Sequence, residues 1–86
     1  MDLEQRQRIV DVICREWNYG DPPPPYIESK ALRELLASEG VEASEDDLLA
    51  FLDELKYKNL ITLTMYLGYR RITGIDQMMC EEPLNY

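Results

Sequence analysis

The chain has 86 residues, 45% of them hydrophobic and eight of them aromatic, which suffices for one small core and argues against disorder except at the ends. Seventeen acids against nine bases give a net charge of −8 with no histidine. That balance weakens nonspecific attraction to nucleic acid and anionic membranes, and the missing histidine removes Ser-His-Asp, Cys-His and the usual zinc-finger constellations. No apolar run approaches a membrane span, and the charged start Met1-Asp2-Leu3-Glu4 is no signal peptide, so a soluble cytoplasmic protein is expected.

Residues 3–18 read as a first helix, with Ile9, Val10, Ile13 and Trp17 on one face and Gln5, Gln7, Arg8, Asp11 and Arg15 largely elsewhere. Cys14 borders the apolar face and reads as packing. Cys80 lies far away, in the C-terminal tail, where exposure is expected. The two form no metal spacing, and without a secretory signal both are expected to be reduced. Gly20 and Asp21 break the helix, and Pro22 to Pro25 follow. A polyproline ligand is one reading of that run, and a stiff connector is the preferred one.

Tyr26-Ile27-Glu28 fits a very short strand. Ser29 is placed to cap a second helix carrying Leu32, Leu35 and Leu36, which Gly40 ends. Residues 41–43 make a tight turn. Ser44, with Asp47 three residues on, starts a third helix over residues 44–58, and Leu48, Phe51, Leu52 and Leu55 form its core stripe. Asn59 suits a left-handed cap. From Leu60 the period changes to two: Ile61, Leu63 and Met65 alternate with Thr62, Thr64 and Tyr66. A hairpin over residues 60–75 follows, turning at Leu67-Gly68. Asp76 to Cys80 fit a short helical turn that Pro83 stops, and the last few residues are expected to fray. The chain is one domain, residues 1–86, with a core over about residues 5–75 and a tail over 76–86.

The order helix, short strand, helix, turn, helix, two-stranded hairpin resembles the winged helix-turn-helix superfamily across roughly residues 5–75. Arg71-Ile72-Thr73 followed by Gly74 also looks like that family's last wing strand. The resemblance rests on pattern, without a unique motif. It implies a mainly α (α+β) fold of three helices, a short strand and a two-stranded β-hairpin wing. Residues 29–40 and 44–58 would form the helix-turn-helix, and residues 60–75 the wing. Most members bind DNA with Arg, Lys, Asn, Gln, Ser or Thr on the third helix. Here its outward face carries Asp46, Ala50, Asp53 and Tyr57, flanked by Glu54, and carboxylates repel phosphate.

Two functions follow. In the first, the chain is a non-enzymatic regulatory or adaptor module. It binds a protein partner that carries a basic patch opposite Asp46, Asp53 and Glu54, anchored by Tyr57 or Tyr69. Tyr66 and Leu67 add apolar wing surface, Met65 and Ile72 are assigned to the core, and Tyr69, Met78 and Met79 are candidate dimer or partner contacts. In the second, the chain is a dimeric DNA-binding transcription regulator. It grips duplex DNA through Arg70 and Arg71, with Lys30, Arg33, Lys56 and Lys58 in support. The acidic third helix favours the first. No Gly-rich phosphate loop is present, and Glu45-Asp46-Asp47 fits a helix start rather than a calcium loop. Neither a metal, a cofactor, a catalytic group nor a membrane role is expected.

Overall fold

The structure is a computed structural model and describes residues 1–22 and 24–82. Its elements run α1 (Leu3–Tyr19), β1 (Ile27–Glu28), α2 (Ser29–Ser38), α3 (Glu45–Tyr57), β2 (Ile61–Tyr66), β3 (Tyr69–Ile75) and α4 (Gln77–Glu81). The strands form one antiparallel sheet in the order β1-β3-β2, so β3 is central and the fold is α+β. No helix among the described residues is long and apolar enough to cross a membrane.

Local chemistry sets the helix ends. Asp2 accepts the Gln5 amide at 2.8 Å to start α1, and the Ser44 hydroxyl accepts the Asp47 amide at 3.1 Å to start α3. Caps of this kind are each worth about 1 kcal/mol. Helices α2 and α3 end alike. Val41 N–H donates to the Leu36 carbonyl at 2.9 Å around Gly40 at φ 81°, and Leu60 N–H donates to the Leu55 carbonyl at 3.0 Å around Asn59 at φ 61°. In each case a residue in the left-handed region lets the chain satisfy the last helical carbonyls and turn sharply away.

Ser29 departs from its expected role as a cap. It is the first residue of α2, it is buried, and its hydroxyl accepts the Arg70 amide of β3 at 3.1 Å. The cap position is Glu28, which is still paired with Arg71 in the sheet. Strand therefore runs straight into helix, and the serine extends the bonding between β1 and β3 by one group.

Ile9, Val10 and Ile13 of α1, Leu32 and Leu36 of α2, and Leu48, Phe51, Leu52 and Leu55 of α3 fill the core against Ile27, Ile61 and Ile72 of the sheet. Met65 is not in it. Burial falls along β2, an edge strand, from Ile61 at 3% exposure to Met65 at 69%. Alternation sets the face on which a strand residue lies; whether anything covers that face depends on where the helices stop.

The C-terminal segment belongs to the packed unit, so the core reaches beyond residue 75. Asp76 accepts the Met78 amide at 2.9 Å and starts α4, which returns to α1. Met79, expected on the surface, is buried under this turn, whereas Met78 is exposed. Cys14 and Cys80, expected as separate thiols, form a disulfide between α1 and α4 with a Cα–Cα distance of 5.7 Å. Their separation of 66 residues in sequence concealed the contact. The expected stop at Pro83 and the frayed end lie outside the described residues, as does Pro23 of the proline connector.

Candidate partner-binding surface

Helix α3 turns Leu48, Phe51, Leu52 and Leu55 inward, which forces Asp46, Ala50, Asp53 and Tyr57 outward, where all four are exposed. Tyr57, in the last turn, is 88% exposed. Leu63 and Met65 of β2 lie beside that turn, and with Asp53, Lys56, Tyr57, Asn59 and Arg70 they line an open groove of about 590 Å³. Past the groove, the hairpin tip presents Tyr66 and Leu67 to solvent.

Arg70 and Asp53 close part of the groove on themselves. The Arg70 guanidinium donates from Nε to Oδ1 of Asp53 at 3.1 Å and from an Nη to Oδ2 at 3.3 Å. This two-point geometry suits a guanidinium–carboxylate pair, and its hydrogen bonds raise the Arg70 pKa above the ordinary value. Arg71 takes the opposite face of the sheet. Its guanidinium carbon lies 4.3 Å from the Tyr26 ring centroid and 3.9 Å from that of Tyr66, with Nε 3.7 Å from the Glu28 carboxylate. The two hairpin arginines expected to meet DNA are thus turned to opposite faces, each opposed by a carboxylate of its own chain.

The remaining candidates separate in the same manner. Glu54 accepts Arg6 at 3.0 Å and lies 3.6 Å from Lys58, so it ties α3 to α1. Asp46 forms no ion pair among the described residues. Tyr69 is half-buried and lines a separate cleft with Ser29, Lys30, Arg33 and Leu49. Lys56 is exposed on the groove wall. The structure therefore brings Asp53 and Tyr57 together, places Tyr69 and Lys30 elsewhere, and gathers Arg70, Arg71, Lys30, Lys56 and Lys58 into no single basic patch.

Leu63 and Met65 were missed as groove residues. The signal available for them was charge: residues 59–69 are eleven consecutive uncharged residues in a chain that is 30% charged. Among the described residues no three metal-ligating side chains are gathered. No family model matches the chain, and no curated protein or solved structure matches it significantly.

Proposed function

We propose that the chain is a winged helix-turn-helix module used for protein recognition, a non-enzymatic regulatory or adaptor domain. In this reading α3 is the former recognition helix and β2–β3 the wing. The element order and the central position of β3 support the scaffold. One observation carries the function: the groove between α3 and the wing exposes Tyr57 and Met65, while the cation beside them, Arg70, is held by Asp53.

Such a groove suits an apolar side chain of a partner. Tyr57 and Met65 are the anchors, and burying either is worth on the order of 2 kcal/mol. The acidic start of α3, Glu45-Asp46-Asp47, lies on the same helix and favours a partner whose rim is basic. DNA reading on this scaffold draws on cationic or neutral polar side chains on the outward face of α3 and on cations of the wing. Here Asp46 and Asp53 occupy the helix face, Arg70 meets Asp53, and Arg71 is stacked between two tyrosines. That arrangement weighs against the DNA-binding alternative.

The test is affinity capture from an extract of the source cells on the immobilised chain, compared across variants. Tyr57→Ala should lower retention of a specific partner roughly thirtyfold, equivalent to about 2 kcal/mol. Asp46→Lys should lower it less, and Lys30→Ala, in the other cleft, should leave it unchanged. Retention indifferent to both Tyr57→Ala and Asp46→Lys would remove the proposed site.

A further inference from the structure

Strand β2 is an edge of the sheet, since β3 lies between it and β1. An edge strand presents a row of backbone N–H and C=O groups that can template pairing with another chain, and proteins usually blunt it with charge, proline or short length. The β1 edge is blunted, having two residues and ending in Glu28. The β2 edge is not. It has six residues, ITLTMY, without a charge or a proline, and Thr62, Thr64, Met65 and Tyr66 are exposed.

We propose that β2 is a dimerisation strand, pairing antiparallel with β2 of a second copy about a two-fold axis through Thr64. Charge selects the occupant. A chain of net charge −8 repels its own copy, and residues 59–69 are the longest stretch along which two copies can meet with no charge on either side. The sequence is also self-complementary in this register. Directly opposed residues of an antiparallel pair lie on the same face of the sheet. A two-fold axis at Thr64 sets Leu63 opposite Met65 of the second copy on the groove face, and Thr62 opposite Tyr66 on the other. Aliphatic pairs and threonine–aromatic pairs of this kind stabilise sheets. The register shift between Thr62 and Leu63 leaves the extra residue, Thr73, on β3, so β2 itself runs without interruption through residues 62–66. The joined sheet has six strands, three from each copy. Because the axis is perpendicular to the sheet, both α3 helices stay on one face and the two grooves lie side by side.

The experiment is sedimentation velocity on the purified full chain over a range of protein and salt concentrations. A dimer is expected, and it should strengthen with salt as the −8 charges are screened. Association with a basic partner would show the opposite salt dependence. Thr64→Lys and Thr64→Glu each set like charges against themselves across the axis, so each variant alone should lose roughly tenfold or more in dimer affinity. An equimolar mixture of the two should recover the dimer. Circular dichroism checks that both variants fold. Amide exchange of the unsubstituted chain makes the same test without substitution: protection of β2 amides should rise with protein concentration. A chain that stays monomeric at all concentrations overturns the proposal and leaves the edge to an extended segment of another protein. A dimer unaffected by either variant, or not recovered by mixing them, overturns the pairing at Thr64.

Discussion

Leu67 sits where its side chain is poorly suited. With φ of 51° beside Gly68 at 84°, it holds the first central position of a two-residue turn in which both residues are left-handed. Asn-Gly is the usual solution there, and a leucine costs about 1 kcal/mol in such a conformation. Burial does not offset that cost, because Leu67 is 81% exposed. Leu67→Asn should therefore raise the melting temperature by roughly 4–8 °C in calorimetry. It should also weaken any partner contact made through the hairpin tip. Asn59, in a similar conformation, shows the reverse fit, and Asn59→Ala should cost about 1 kcal/mol. The position of the turn was legible from the two runs of alternating residues beside it. Its strain was not, because that depends on the turn type. Arg70 and Arg71 were equally ambiguous in sequence, since adjacent strand residues point to opposite faces and the pattern does not say which. The pairing of Arg70 with Met65 and of Arg71 with Thr64 settles it. Arg71→Ala should remove two ring contacts and destabilise the fold by about 1 kcal/mol in thermal unfolding.

Helices were readable because caps and apolar periodicity are local. Ser44, Gly40 and Asn59 mark ends that the chain adopts within a few residues of each. Three features escaped because their causes lie far away in sequence: the use of Ser29 to hold Arg70, the exposure of Met65, and the attachment of α4 to α1. The last carries a large stability term. A disulfide that closes a 66-residue separation stabilises by about 4 kcal/mol in the chain-entropy description. Cys80→Ser, or reduction of the native chain, should shift the urea midpoint sharply downward, whereas a chain indifferent to reductant would show that α4 adds little. A second tie joins α1 to the end of α2. Arg15 donates to both Glu39 carboxylate oxygens, at 2.8 and 2.5 Å, and holds the Glu39 pKa below its ordinary value. A depressed folded-state pKa adds stability above the ordinary glutamate range, and that stability is lost as pH falls through the folded value. Arg15→Ala should lower stability at neutral pH, leave the acid limit unchanged, and return Glu39 toward its ordinary titration by NMR.

Taken as one body, the chain has a negative field and few cations to spare. Five of its nine bases, Arg6, Arg15, Lys58, Arg70 and Arg71, lie against carboxylates of the same chain. Arg8 and Arg33 donate to the carbonyls of Glu39 and Ala43. Composition showed the excess of acid, but only the folded chain shows how the bases are used. A partner steered by this field should associate faster at low salt, and its association rate should fall as salt rises. Photo-crosslinking in the source cells, from a photoreactive phenylalanine analogue at position 57, distinguishes the two classes of partner in one step. Protein recognition predicts covalent adducts to a protein other than a second copy of this chain, lost when Met65→Ser is added to the same chain. Adducts to nucleic acid, or the absence of any such protein adduct, would contradict it.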